Sequence, residues 1–186
     1  LGVTTLNETR PRKFSVPPVT IGIVISSLGP GGAERVCCKL AGQWVARGQS
    51  VTIYSFEDES ARPFYELEPG VALKSLGLLR DSTTIVSAVR RNLHRIAKLR
   101  KVLRNDLPDY VLAIGPEISV LTILASRGLP ARVYALERVY PDLHQTKLLW
   151  RVLRRAVYPG ADTLVVQTKR IADRFGYLRR VTVIPN

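Results

Sequence analysis

The chain has 186 residues, 46% of them hydrophobic, and this length and apolar content suit one globular domain with its own core. It carries 28 Lys and Arg against 15 Asp and Glu, a formal net charge of +13. These values exclude a disordered or fibrous chain, and no apolar run reaches the ~18 residues of a membrane-spanning helix. The N-terminus lacks the layout of a signal peptide, so we expect a cytoplasmic protein.

Short β-branched runs alternate with helical stretches from residue 20 onward, after a leader at residues 1–19 that contains three prolines and is predicted to be flexible. The predicted strands are residues 20–26, 51–56, 71–76, 110–114, 131–136, 162–166 and 181–184. The predicted helices are residues 33–46, 82–105, 117–127, 143–158 and 169–175. This alternation predicts an α/β fold, a Rossmann-like doubly wound parallel sheet of about seven strands with the first strand central, over residues 20–186.

In such sheets ligands bind beyond the carboxyl ends of the strands, so the loops there are the first candidates for a site. The loop after the first strand is Ser26-Ser27-Leu28-Gly29-Pro30-Gly31-Gly32-Ala33-Glu34-Arg35 and runs directly into a helix. Its glycines let backbone amides approach an anionic ligand at the helix N-terminus, although a tight turn alone remains an alternative. We further expect Gly31 or Gly32 to adopt a conformation that alanine tolerates poorly. A dinucleotide fingerprint would need glycine where Glu34 stands, and no Lys-Ser/Thr pair marks a P-loop.

Neither the cysteines nor the histidines indicate a metal site. Cys37 and Cys38 are adjacent and are predicted to be packing thiols, and His94 and His144 lack partners at ligand spacing. The acidic run at residues 57–59 is predicted to be a solvated loop. We therefore predict no metal and no cofactor.

Several motifs in order resemble one known family. The stretch SSLGPGGAERVCCKLAGQWVARGQSVTIYSF, then LPDYVLAIG, ILASRGLPARVYALER, LRRAVYPGADTLVVQT and VTVIPN, is similar to the N-terminal half of family-4 glycosyltransferases over roughly residues 20–186. The nearest branch elongates polyprenyl-diphosphate-linked or cell-surface oligosaccharides. The resemblance implies a retaining enzyme of the GT-B fold, in which two Rossmann-like domains face each other. The second domain, which holds most of the nucleotide-sugar donor, is expected to be absent from this chain.

The resemblance also implies roles for particular residues. Those expected to bind substrate or diphosphate are Gly31, Gly32, Glu34, Arg35 and Gln167. Glu137 and Arg138 follow the fifth strand, where the family places catalytic side chains, with a surface ion pair between the two as the alternative. Next to Gln167, Thr168 is as well explained by capping the following helix.

Two basic helices indicate an anionic surface as a further partner. Apolar residues from 85 to 103 recur at helical spacing and are predicted to face the core, which leaves the cations free. Those expected to face an anionic membrane are Arg90, Arg91, Arg95, Lys98, Arg151, Arg154 and Arg155, with Trp150 suited to the interface. Plain surface charge remains an alternative. Nucleic acid is not expected, because aromatic residues make up only 7% and no nucleic-acid-binding module is visible.

The sequence thus predicts the acceptor-side half of a glycosyltransferase, inactive alone and peripherally associated with the inner face of the membrane. Its expected partners are a nucleotide-sugar donor and a glycan or polyprenyl-linked acceptor. The alternative is a non-enzymatic Rossmann-like module that binds anionic ligands.

Overall fold

The structure, a computed structural model, describes residues 17–79, 85–138 and 148–185. Its strands are β1 (Thr20–Ile25), β2 (Ser50–Ser55), β3 (Val71–Ser75), β4 (Tyr110–Ile114), β5 (Arg132–Glu137), β6 (Thr163–Val166) and β7 (Val181–Val183). Its helices are α1 (Gly32–Ala46), α2 (Ile85–Asp106), α3 (Pro116–Ser126), α4 (Leu148–Val157) and α5 (Lys169–Ala172). Short 3-10 turns follow at Tyr158–Gly160 and Asp173–Phe175.

All of these strands form one parallel sheet in the order β3-β2-β1-β4-β5-β6-β7. The predicted Rossmann-like parallel sheet is confirmed. β1 lies inside the sheet, with Ile21 opposite Val51 of β2 and Tyr110 of β4, while the middle position belongs to β4. The leader falls mostly outside the described residues, as do the predicted first turns of the helices at residues 82 and 143.

The helices divide unequally between the two faces of the sheet. Right-handed crossovers place α1, which leads from β1 outward to β2, on one face, and place α2, α3 and α4 on the other, because the chain reverses direction after β3. Two hydrophobic clusters match this division. One joins α1 to Ile21, Ile23 and Ile53, and the other joins α2, α3 and α4 to residues such as Val24 and Val111.

Contacts around Tyr54 hold the end of α2 against the sheet. The ring of Tyr54 lies over Gly22, where an added Cβ would stand 2.9 Å from the ring carbon Cε2, so only glycine fits without a shift. The Tyr54 hydroxyl donates to Asp106 Oδ2 at 2.7 Å, and Lys74 Nζ pairs with Asp106 Oδ1 at 2.7 Å. These contacts fix the end of α2 against β2 and β3.

The two cysteines are part of this packing. Cys37 and Cys38 are buried in the α1 cluster and are not bonded to each other. Burial raises the pKa of the Cys37 thiol to about 12, so it is protonated near neutral pH and a poor nucleophile. Their predicted role as packing residues is confirmed.

Candidate functional site

A large open cavity lies along the carboxyl edge of the sheet and continues down one face. Its volume is about 1340 Å³. The edge part is lined by the glycine loop (residues 30–32), Arg35, Arg138 and Gln167, so most of the predicted substrate-binding residues meet at one rim. They meet there because parallel strands end at the same edge of a sheet.

The lower part of the cavity is a sheet face that no helix covers in the described part of the chain. Tyr110, Leu112, Tyr134, Leu136 and Val165 point from β4, β5 and β6 toward this face and line the cavity. α1 packs on β1, β2 and the edge strand β3, and its cluster of buried residues extends only to the margin of β4 at Ile114. Parallel sheets are ordinarily covered on both faces, so this apolar surface is unusual for an isolated domain.

The glycine loop caps α1 without a side chain. Gly31 is the N-cap residue with φ −164° and ψ 162°, and its carbonyl accepts from Arg35 N at 3.0 Å to begin the helix. This φ is extended backbone, and a Cβ on Gly32 would meet nothing within 4 Å. Neither glycine has a backbone conformation that excludes alanine, so that part of the expectation is wrong, although a Cβ on Gly31 would have to displace the Glu34 carboxylate. Gly32, which has no side chain, leaves space beside the first-turn amides.

The Glu34 side chain packs against the glycine loop. Its carboxylate lies directly over Gly31, where a Cβ would come within 2.0 Å of Glu34 Oε2. An acid in the first turn is favourable beside the helix N-terminus, and it partly offsets the positive end of the helix. An anionic ligand at this rim would therefore depend on added positive charge.

That charge comes from two arginines. Arg35 is exposed on the first turn of α1, and Arg138 extends from the end of β5 to place its Nη1 3.4 Å from the carbonyl oxygen of Gly32. Arg138 thus links the β5 end to the glycine loop across 106 residues of sequence. The rim combines free helix amides with two guanidinium groups, the donors that phosphate groups bind best.

Glu57 holds the loop in place, a role that the sequence analysis missed. Its Oε2 accepts from the backbone amide of Leu28 at 2.7 Å and from the Ser55 hydroxyl at 3.1 Å. The Leu28 side chain is itself buried in the α1 cluster. The prediction that residues 57–59 form only a solvated loop is wrong for Glu57, while Asp58 and Glu59 are exposed.

Glu137 borders the cavity at the end of β5, while its carboxylate is bonded to residues on the α4 side of the sheet. It is 1% exposed, and its Oε1 accepts hydrogen bonds from Arg154 Nη1 at 3.3 Å and from the Tyr158 hydroxyl. Tyr158 stacks on Phe175, and Arg154 lies over the same ring. Burial, and then the Glu137 charge, raise the pKa of Tyr158 well above its ordinary value. Glu137 therefore takes part in a buried cluster and not in a surface pair, and this cluster packs α4 and the Asp173–Phe175 turn against the end of β5.

Thr168 caps α5, since its Oγ1 accepts from Ile171 N at 3.2 Å. The capping alternative for this residue is therefore confirmed. Gln167, just before it, lines the cavity as predicted.

The cations predicted to face a membrane divide into three groups. Arg90, Arg151 and Arg155 are exposed, with Arg155 lying over the Tyr177 ring. Arg91 is half-buried, as is Arg95, whose Nε donates to the Leu78 carbonyl at 3.0 Å. The exposed Lys98 donates to the Leu76 carbonyl.

Two predictions for α4 are wrong. Arg154 is only 7% exposed and turns inward to Glu137, so it is not available to a membrane. Trp150 packs against the α2, α3 and α4 cluster instead of projecting outward. The two basic helices share one face of the sheet, but α3 packs between them.

No group of three or more His, Cys, Asp or Glu residues able to hold a metal occurs in residues 17–79, 85–138 and 148–185. Within the same ranges, no helix has the length and apolar content needed to cross a bilayer.

The parallel sheet and its flanking helices define a Rossmann-like α/β domain with a glycine-containing rim at its carboxyl edge. The sequence profile described as "Glycosyl transferase 4-like domain" matches residues 31–186, and the chain belongs to this family. It is 29% identical over 169 residues to an enzyme of Campylobacter jejuni, with 89% of this chain and 45% of that protein covered. That enzyme is named as an alpha-1,4-N-acetyl-D-galactosaminyltransferase acting on a diNAcBac-PP-undecaprenol-linked sugar. The chain thus spans about half the length of this curated relative.

Solved structures agree on the fold. Sucrose-phosphate synthase from Thermosynechococcus elongatus superposes with a TM-score of 0.71 at 9% identity, over 90% of this chain and 48% of that one. The lipopolysaccharide outer core galactosyltransferase WaaB, in its apo form, superposes with a TM-score of 0.63 at 12% identity, over 90% of this chain and 45% of that one. At these identities the likeness shows the fold alone.

Proposed function

We propose that this chain is the acceptor-side domain of a retaining glycosyltransferase that transfers a sugar from a nucleotide-sugar donor to a polyprenyl-linked glycan. Family membership and the acceptor named for the Campylobacter relative support this proposal. The observation that carries it is the rim at which Arg138 reaches the glycine loop, 3.4 Å from the Gly32 carbonyl.

The rim suits the chemistry of sugar transfer. Breaking the bond between the sugar and the nucleoside diphosphate leaves negative charge on the departing phosphate. Preorganised amides and guanidinium groups stabilise such charge most where water is excluded. The amides at the start of α1, with Arg35 and Arg138, supply these groups on one side of a cleft, and the same groups suit the diphosphate of a polyprenyl-linked acceptor.

A second domain would complete the cleft. The uncovered apolar face of β4, β5 and β6 supports this part of the proposal, because further polypeptide packed on it would remove Tyr110, Tyr134 and Leu136 from water. The chain spans less than half of the Campylobacter enzyme, which leaves ample length in such a protein for a donor-binding domain. We expect the 186-residue chain alone to be inactive.

The proposal is tested by comparing the chain with the gene product that continues beyond Asn186. Radiolabelled nucleotide-sugars are supplied with a polyprenyl-diphosphate-linked oligosaccharide, and transfer is followed by thin-layer chromatography. The longer protein should transfer sugar and the 186-residue chain should not. Turnover by the short chain would contradict the half-enzyme assignment. A reading frame that stops at residue 186 would favour the non-enzymatic anion-binding module instead.

We also propose that an anionic membrane surface at the inner face of the membrane is a partner. The exposed cations Arg90, Lys98, Arg151 and Arg155 remain available for it, and all lie on helices of one face of the sheet. Each basic residue near an anionic surface contributes about 1 kcal/mol, an attraction that salt screens. Binding to vesicles with anionic lipid that disappears in neutral vesicles would support this partner.

A further inference from the structure

The segment between β2 and β3, residues 56–70, carries an exposed aromatic side chain beside the glycine loop. Phe64 is 63% exposed. Its backbone amide donates to the carbonyl oxygen of Leu28 at 2.8 Å, three residues before Gly31. The Phe64 side chain lines the same cavity as Gly31 and Arg35. An aromatic ring that is open to solvent at the rim of this cavity is a candidate contact for a ligand.

Phe64 is exposed, but its position is fixed. Besides the bond to Leu28, its ring packs edge to face with Tyr65, with ring centroids 5.0 Å apart and an angle of 80° between the planes. Tyr65 is half-buried and packs against the α1 cluster. Farther along the segment, Glu68 lies over Gly42 of α1, where an added Cβ would stand 2.5 Å from Glu68 Cγ. Little conformational entropy is therefore lost when a ligand contacts the Phe64 ring.

The exposed neighbours of Phe64 are charged. From residue 61 to residue 68 burial alternates, since residues 61, 63, 65 and 67 are half-buried and the residues between them are exposed. The exposed set is Arg62, Phe64, Glu66 and Glu68. One aromatic ring among hydrogen-bonding side chains suits a sugar. The C–H groups on one face of a pyranose pack on the ring, while its hydroxyl groups donate to carboxylates and accept from a guanidinium.

The same neighbours disfavour two other ligands. A polyprenyl chain needs a continuous apolar surface, whereas Arg62 and Glu66 flank Phe64 and would lose hydration beneath it. A nucleotide carries phosphate groups, which the carboxylates of Glu66 and Glu68 repel. Among these ligand classes, a neutral sugar ring fits the surroundings of Phe64 best.

We propose that Phe64, positioned by Tyr65 and by the Leu28 carbonyl, is a stacking platform for a sugar ring of the acceptor glycan. This inference rests on the proposed function, since it names the part of the acceptor that this side of the rim recognises. The cavity of about 1340 Å³ leaves room for a sugar at Phe64 beside a diphosphate group at Arg35 and Arg138. Phe64 thereby favours an acceptor that carries a glycan over a lipid diphosphate alone.

Binding to the 186-residue chain tests the platform without sugar transfer. The probes are the oligosaccharide released from the polyprenyl-diphosphate acceptor, farnesyl diphosphate and uridine diphosphate, each titrated separately and followed by NMR amide shifts. The oligosaccharide should shift the amides of residues 62–66 and saturate. Phe64→Ala should weaken its binding about tenfold, and Phe64→Leu should do the same, because leucine is apolar but has no aromatic face. Phe64→Trp should retain parental binding.

Leu107 provides a matched control. It is 58% exposed, but it lies between α2 and β4 at the opposite edge of the sheet. Leu107→Ala should bind the oligosaccharide like the parent, and thermal melts should show that all variants fold. No shift at residues 62–66, or parental binding by Phe64→Ala or Phe64→Leu, would overturn the proposal. An equal loss of farnesyl diphosphate or uridine diphosphate binding in Phe64→Ala would also overturn it, because the ring would then contact lipid or nucleotide.

Kinetics of the protein that continues beyond Asn186 separate this inference from the proposed function. Phe64→Ala should raise the KM for the oligosaccharide acceptor about tenfold, with kcat and the KM for the nucleotide-sugar unchanged. Sugar transfer with a parental acceptor KM in Phe64→Ala would overturn the platform and leave the proposed function standing. An absence of transfer in the longer protein would contradict the proposed function, while Phe64-dependent oligosaccharide binding by the 186-residue chain would still support the platform.

Discussion

Arg154 and Glu137 form a buried ion pair, with Nη1 and Oε1 3.3 Å apart and side chains 9% and 1% exposed. The pair joins α4 to the end of β5, the strand from which Arg138 extends to the glycine loop. A residue expected to face the membrane and one expected to contact substrate thus hold each other inside the domain. The buried pair therefore packs α4 against the strand end that precedes Arg138.

The first prediction concerns the stability that this pair provides. Glu137→Leu leaves the Arg154 charge buried without its carboxylate, and we expect the free energy of unfolding to fall by about 3–5 kcal/mol in urea titrations. The double variant with Arg154→Met should regain most of that loss, because the uncompensated charge is gone. Lys74→Met removes the partly exposed pair with Asp106 and should cost no more than about 1 kcal/mol. A double variant no more stable than Glu137→Leu would contradict the role given to the pair.

The second prediction concerns alkaline pH. Burial raises the pKa values of Tyr54 and Tyr158 above their ordinary value of 10.0. The folded state therefore retains these protons after the unfolded chain has lost them, so the stabilising contribution is complete below pH 10 and is lost as the pH rises above it. The free energy of unfolding should decline above pH 10, and Tyr158→Phe should make that decline shallower. Parallel pH profiles for the parent and this variant would argue against the effect.

The third prediction concerns the support of the glycine loop. Glu57→Ala removes the acceptor of the Leu28 amide, and leaving a largely buried amide unpaired costs about 1–3 kcal/mol. Hydrogen exchange of residues 26–32 should also become faster. Glu59→Ala, two residues away and exposed, should change the unfolding free energy by less than about 0.5 kcal/mol. The anchoring role is wrong if both variants exchange at the rate of the parent.

The fourth prediction concerns access to the first-turn amides. Gly32→Ala should fold with an unchanged melting temperature, since its Cβ meets nothing within 4 Å. In the longer protein that carries the proposed second domain, kcat/KM should nevertheless fall about tenfold or more, because the methyl group obstructs the rim. Gly29→Ala, whose Cβ also has open space, is the control and should remain active. Full activity of Gly32→Ala would indicate that the loop is only a tight turn with no role in substrate binding.

Sequence patterns predicted the sheet well because apolar β-branched runs and helical periods are local signals. They also located the rim, since the carboxyl ends of parallel strands must meet. The direction in which a single side chain points depends on tertiary contacts, which local patterns do not report. Arg154 shares its helix side with Trp150 and Val157, at spacings of four and three, which could have indicated that it faces inward. Val89 and Leu93 belong to the stripe that spacing predicts to face the core, and that prediction is wrong for them, since they are 50% and 62% exposed.

The role proposed for Arg138 and the glycine loop as a substrate rim can be measured by the kcat/KM of Arg138→Gln in the longer protein. The matched control is Arg132→Gln, an exposed arginine at the opposite end of the same strand, far from the rim. We expect Arg138→Gln to lose about 100-fold in kcat/KM for sugar transfer, with an unchanged melting temperature, and Arg132→Gln to match the parent. A parental kcat/KM in Arg138→Gln, or an equal loss in both variants, would show that Arg138 does not bind substrate at this rim.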